Sequence, residues 1–159
     1  MRIKLKNFRC YEDSTFDLGE QGITLISAPS GYGKSTILNA IYFALFGTGN
    51  KVTTVGKTSC LVELEFDGII ITRTKRPNRL VVETETDTYE DEVAQQIINN
   101  KFGDNFDVIG YISQNAMNSF IMLNPMEKLS FLERFAFKDI NLNEIKNRCK
   151  ANITKTHDE

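Results

Sequence analysis

An α/β fold is predicted by two stretches of the sequence. Between Gly22 and Ile41 a short β-branched run, a glycine-containing turn and an apolar helical pattern follow one another. Between Cys60 and Lys75 two strand-like runs flank Asp67-Gly68, the strongest short-range hairpin signal. The first stretch organises the rest. Ile23 to Ile26 reads as a buried strand. Pro29, Ser30, Gly31 and Gly33 force a turn, and from Lys34 onward Ile37, Leu38, Ile41 and Leu45 share one helical face. Strand, glycine loop, Lys-Ser and helix, in that order, give a phosphate-binding P-loop its meaning.

The chemistry expected of this loop follows from its backbone. The β- and γ-phosphates of a nucleotide carry dense negative charge. A loop surrounds them only if its N–H groups converge and no Cβ blocks the approach, which Gly31 and Gly33 allow. The helix starting near Lys34 aims unpaired amides and its positive dipole end at the same point. Lys34 adds a full charge for the β/γ oxygens, Ser35 a hydroxyl for Mg²⁺, and Thr36 a donor for the α-phosphate. Ser30 and Tyr32 complete the expected ATP-binding set. Where the eight-residue motif has its first glycine, this chain has Ala28, the smallest replacement.

Length and composition set bounds. The 159 residues suit one domain, and a hydrophobic fraction of 41% supplies a core. A net charge of −2 gives no global attraction to nucleic acid or anionic membrane, so any such surface is local. Cys10, Cys60 and Cys149 are separated singles, which suggests neither a disulfide framework nor a zinc motif and fits a reducing compartment. The opening Met-Arg-Ile-Lys-Leu-Lys is no signal peptide, and the longest apolar run, Ala40 to Phe46, is far short of a membrane span. A soluble, intracellular protein is expected, cytoplasmic or nuclear according to its source.

In chain order, residues 2–8 alternate charged and aliphatic side chains and predict a half-buried strand, with a second near Ser14–Leu18. The helix from Lys34 to Phe46 is apolar nearly all round, so it is expected to be buried on several sides and closed by Gly47. The loop from Gly47 to Thr58 carries Lys51 and Lys57. Strands Cys60–Phe66, Ile69–Lys75 and Leu80–Thr84 follow, the last after the turn Arg76-Pro77-Asn78. Arg73, Lys75, Arg76 and Arg79 form a basic cluster there, read either as a solvated turn or as contacts to DNA phosphates. The acidic stretch Glu83 to Glu92 leads into a helix over about Tyr89–Asn100, with Val93, Ile97 and Ile98 inward and Gly103 at its end. Phe106 to Ile112 suggests a buried strand leading to Gln114. Asn124-Pro125 reads as a helix start, with Leu129, Leu132, Phe135 and Ala136 on one face. Asn141 reads as the cap of a last helix, with Leu142, Ile145, Cys149 and Ile153 at heptad-like spacing.

Several of these pieces together resemble the SMC superfamily, and most closely its Rad-fifty/SbcC group. They are Leu5-Lys-Asn-Phe8-Arg9, Phe16, the loop Ser30 to Thr36, Ala44-Leu-Phe-Gly47, and Phe120 with Asn124-Pro125 to Phe135. The resemblance implies the N-terminal lobe of an ABC-type ATPase head, a P-loop NTPase fold with a mixed sheet, an antiparallel hairpin and the start of a coiled coil. It divides the chain into residues 1–137, half of a head, and 138–159, a helix leading toward the coiled coil. It implies that Arg9 lies near the nucleotide, although a solvated Arg at a strand end remains open. It also implies that Gln114 is a Q-loop glutamine, holding Mg²⁺ and the attacking water, so that Lys34 and Gln114 serve catalysis.

What the family's second half carries is missing here. No Ser-Gly-Gly signature occurs, and no aliphatic run ends in Asp-Glu. The expectation is therefore a lobe that binds ATP and turns it over only when completed by the C-terminal lobe and a second head. An SbcD-type nuclease and DNA are the further partners that the resemblance implies, with no membrane. The expected role is DNA repair, recombination or end processing. An SMC-type chromosome-organising ATPase, a non-catalytic nucleotide-gated scaffold and a small P-loop kinase stand as alternatives; the hairpin before Gln114 argues against the kinase.

Overall fold

The first strand, β1 (Arg2–Phe8), buries Ile3 and Leu5 and exposes Arg2, Lys4 and Lys6, as period-two alternation requires. Asn7, at φ 52°, breaks that alternation, so Phe8 turns inward in its place. The computed structural model describes residues 1–19, 21–103, 106, 110–112, 120–137 and 142–157, with only the backbone of 134, 143, 151 and 154–157. The described chain divides into two compact units, Met1–Gly103 and Asp104–Glu159. The boundary expected after residue 137 lies inside the second unit.

In the first unit β1 pairs with β2 (Tyr11–Asp17) and β3 (Cys60–Phe66), and β4 (Ile69–Lys75), β5 (Arg79–Glu83) and β6 (Thr88–Glu90) follow. The sheet has six strands in the order β2-β1-β3-β4-β5-β6. Each pairing is antiparallel. One face carries Ile3, Leu5, Val62, Leu64, Ile71, Leu80 and Val82, all buried. On the other face β1 and β3 set Arg2 opposite Glu65 and Lys4 opposite Glu63. Opposite charges at facing positions stabilise the pairing and keep that face solvated.

Two helices pack on the apolar face. Helix α1 (Lys34–Phe46) buries Thr36, Ile37, Ala40, Phe43, Ala44 and Leu45, a spread that leaves it enclosed on several sides. Phe43 meets Phe8 with ring centroids 5.4 Å apart. Helix α2 (Asp91–Phe102) buries Ala94 and Ile98, while Val93, expected inside, is 51% exposed. The reason is phase. The residues Thr88 to Glu90 pair with β5 as a strand, so the helix starts at Asp91 and its inward face falls one position later.

The sheet departs from expectation in one respect. No mixed sheet forms among the described residues, because the segment 23–29 belongs to no strand. Ile23 is 101% and Leu25 87% exposed. An apolar run becomes a strand only where a neighbouring backbone meets its N–H and C=O groups.

The second unit holds a 3₁₀ turn (Phe120–Met122), α3 (Pro125–Ala136) and α4 (Leu142–His157). Asn124 caps α3: its side chain accepts from Glu127 N at 2.9 Å, and its own N–H donates to Glu127 Oε2 at 2.9 Å. Phe131 is buried against Phe120, centroids 5.3 Å apart, whereas Leu129, Leu132 and Phe135 remain about half exposed. Gln114, Val108, Ile109 and Asn141 lie outside the described residues. Where a strand over Phe106–Ile112 was expected, Gly110 N and Tyr111 N both donate to Phe106 O at 2.8 and 2.9 Å, a turn, and Ile112 is 70% exposed.

Candidate functional site

The glycine loop stands at the start of α1. Gly31 has φ 87° and Gly33 φ 85°, left-handed values that a side chain resists. Gly33 is also the N-cap residue of α1, and no side chain caps that end. Among the described residues the N–H groups of Gly33, Lys34 and Ser35 meet no acceptor, whereas Thr36 N donates to Gly33 O at 2.9 Å. Open donors at a helix N-terminus are what an anionic oxygen satisfies.

Lys34 folds back over the loop. Its Nζ donates to Ala28 O at 2.6 Å and Pro29 O at 2.8 Å. Ser30, Gly31, Tyr32 and Ser35 are exposed. A Cβ added to Gly31 would meet nothing within 4 Å. The donor set, two glycines at positive φ, unspent amides, an ammonium and an exposed hydroxyl at Ser35, fits a phosphate chain with its Mg²⁺.

The turn between β1 and β2 holds the loop from below. Tyr11 Oη donates to Tyr32 O at 3.2 Å, and Cys10 Sγ donates to Thr36 Oγ1 at 3.7 Å. Burial first, and then the neighbouring Cys10, push the Tyr11 hydroxyl above its usual pKa. The shift adds margin to a hydroxyl that is protonated at neutral pH in any case. Arg9 sits in the same turn, half-buried, at φ 50°, with its N–H on Val52 O at 2.7 Å. Its turn thus stands beside the loop. Cys10 and Tyr11 were not anticipated as loop contacts; their position directly after Arg9 was the available signal.

The basic cluster is not brought together as one surface. Arg73 lies on the core face of β4, between Val62 and Leu80 across the register. Its guanidinium donates to Ala44 O, Leu45 O and Gln95 Oε1. Burial lowers its pKa to about 10, so it remains charged at neutral pH. Lys75 Nζ donates to Gly49 O at 3.1 Å, and Arg79 pairs with Glu90 at 2.6 Å. Arg76 stands exposed at the turn, with no ion pair among the described residues. Lys57 approaches Glu12 at 3.9 Å.

No helix among the described residues is long and apolar enough to cross a membrane. Among those residues no group of three or more His, Cys, Asp or Glu is placed to hold a metal.

Comparison with known proteins agrees with this geometry. The chain is 43% identical over 156 residues to the uncharacterized protein 094L of Invertebrate iridescent virus 3, covering 97% of the chain and 18% of that protein. It is 42% identical over 165 residues to the uncharacterized protein 050L of Invertebrate iridescent virus 6, covering all of the chain and 15% of that protein. It thus spans less than a fifth of each of these relatives. It is also 38% identical over 72 residues to the DNA double-strand break repair Rad50 ATPase of Halobacterium salinarum, covering 42% of the chain and 8% of that protein. A family model described as an AAA domain matches residues 2–157. With the glycine loop, its helix and the hairpin beneath it inside that match, the chain belongs to the AAA domain family, as a Rad50-like N-terminal lobe of the SMC superfamily of ATPases.

Proposed function

We propose that this chain is the ATP-binding lobe of an SMC-like ATPase acting in DNA repair, recombination or end processing. One observation carries the reading: a single loop at the start of α1 holds two positive-φ glycines, the unspent amides of Gly33, Lys34 and Ser35, and the Lys34 ammonium folded back onto Ala28 O and Pro29 O. In this reading the amides bind β/γ-phosphate oxygens, and Lys34 exchanges Ala28 O and Pro29 O for them. The Ser35 hydroxyl would hold Mg²⁺, Thr36 would serve the α-phosphate, and Arg9 would approach the nucleotide from the hairpin; a Q-loop role for Gln114, which lies outside the described residues, rests on the resemblance alone. Mg-ATP, when bound, would supply the phosphates that a second head engages, so that ATP binding would drive head engagement. The residues of this lobe bind and orient it.

Hydrolysis itself belongs, in this proposal, to a head completed by a C-terminal lobe and engaged with a second head. An SbcD-type nuclease and DNA are the further partners, supported by the Rad50 relative's description as a double-strand break repair ATPase. At the β4–β5 turn any DNA contact falls first to Arg76, with Lys75 and Arg79 beside it, since Arg73 is occupied inside.

Calorimetric titration of the full-length protein with Mg-ATP tests the reading. Lys34→Ala should weaken binding by about 10- to 100-fold, the loss of charge-assisted bonds to phosphate. Ala28→Gly should change it little. Unaltered affinity in the Lys34 variant would overturn the assignment.

A further inference from the structure

The far end of α1 is held as well as its loop end is, and by residues with no place in the nucleotide site. Gly47 N caps Phe43 O at 2.8 Å, but the last turn of α1 contains no basic residue to meet the carbonyls of Ala44 and Leu45. The sheet supplies one. Arg73 Nε donates to Ala44 O at 2.9 Å, and Arg73 Nη2 donates to Leu45 O at 3.1 Å. Gln95 of α2 completes the arrangement. Its Oε1 accepts from Arg73 Nη2 at 2.6 Å while its Nε2 donates to Leu45 O at 3.1 Å and to Asn99 Oδ1 at 2.9 Å. Gly47 makes room: a Cβ there would lie 2.7 Å from Arg73 Nη1.

We propose that Arg73, oriented by Gln95, is a positioning residue for the nucleotide loop: it ties the last turn of α1 to β4 and α2, and so sets where α1 presents Gly33, Lys34 and Ser35. The proposal rests on the nucleotide reading of that loop. The argument is mechanical and electrostatic. A helix of 13 residues is a rod about 20 Å long. Its loop end is fixed by Cys10 Sγ on Thr36 Oγ1 and by Tyr11 Oη on Tyr32 O. Held at both ends, the rod keeps its direction; released at the far end, it tilts about the loop end and turns the directions in which Gly33, Lys34 and Ser35 aim their amides. A hydrogen bond is directional and weakens steeply as its angle falls toward about 120°. The cation also sits at the negative end of the helix dipole, where it favours the docked position. Burying a guanidinium is costly unless its donors are met. An aliphatic side chain would fill the same space between Val62 and Leu80 without tying three elements together.

The test uses the full-length protein and Mg-ATP calorimetry, at a temperature where thermal unfolding shows each variant to be folded. Arg73→Met keeps the length and removes the bonds. It should weaken Mg-ATP by about tenfold, the scale of one lost hydrogen bond to a charged group. It should also speed amide exchange at residues 31–36, and Arg73→Lys should recover part of both. A folded Arg73→Met variant that binds like the parent overturns the proposal, provided that Lys34→Ala weakens binding. If Lys34→Ala also binds like the parent, the nucleotide reading is what fails. Should Arg73→Met not fold, Gln95→Leu removes one partner and leaves the cation in place. It should loosen Mg-ATP by a smaller factor and again speed exchange at residues 31–36; unchanged affinity and exchange there overturn the proposal as well.

Discussion

Gly31 and Gly33 are alike in sequence and in φ, yet they answer to different demands. Gly31 faces open space, so a substitution there meets only the backbone penalty of a left-handed residue, about 1–2 kcal/mol. Gly33 adds a steric demand. A Cβ on it would lie 2.7 Å from Cys10 Sγ and 2.8 Å from Tyr11 Oη. Both atoms end side chains that can rotate away, but doing so breaks their bonds to Thr36 Oγ1 and Tyr32 O. Gly33→Ala should therefore destabilise the first unit by about 1–3 kcal/mol more than Gly31→Ala. Chemical denaturation of the two variants checks the order, and equal losses would refute the contact. Tyr11 links this residue-scale contact to the orientation of the loop carbonyl at Tyr32 through its hydroxyl.

At the scale of elements, each boundary was as legible as its punctuation. Helix α1 was readable to its ends because Gly33 and Gly47 bracket it at φ 85° and 68°. The hairpin of β3 and β4 was readable because Asp67 and Gly68 both adopt positive φ, as their residue types invite. Helix α3 carried its own start in Asn124-Pro125, and the capping box is formed. Removing it by Asn124→Ala should cost about 1 kcal/mol locally. Amide exchange in the first turn of α3 should then quicken by about fivefold, the factor that this energy implies. Unchanged exchange would mean that tertiary packing, not the cap, sets that end. Strand β6 was not legible: Thr88, Tyr89 and Glu90 lie in an acidic stretch with a single aromatic, and only the partner β5 makes them a strand. Arg73 shows the opposite case. Its alternation with Ile71 placed it on the core face, but a cation in a basic cluster reads as surface until the carbonyls of Ala44 and Leu45 are seen to receive it. The heptad-like spacing of Leu142, Ile145, Cys149 and Ile153 does coincide with a helix, α4, whose Lys146 pairs with Glu133 of α3 at 2.6 Å.

For the whole molecule, the exposed segment before the loop is the most consequential surface. Ile23, Thr24 and Leu25 stand clear of the sheet, and Thr24 Oγ1 donates to Leu18 O, which fixes the segment at its start. Burying an Ile and a Leu contributes about 1.5–3 kcal/mol each, a gain that this chain alone leaves unrealised. In the 159-residue chain, Ile23→Ser with Leu25→Ser should therefore shift stability by no more than about 0.5 kcal/mol, as for other exposed positions. Urea unfolding of the parent and the double variant supplies the readout. A loss well above 1 kcal/mol would show that these side chains are covered within the chain and that the segment contributes to its core.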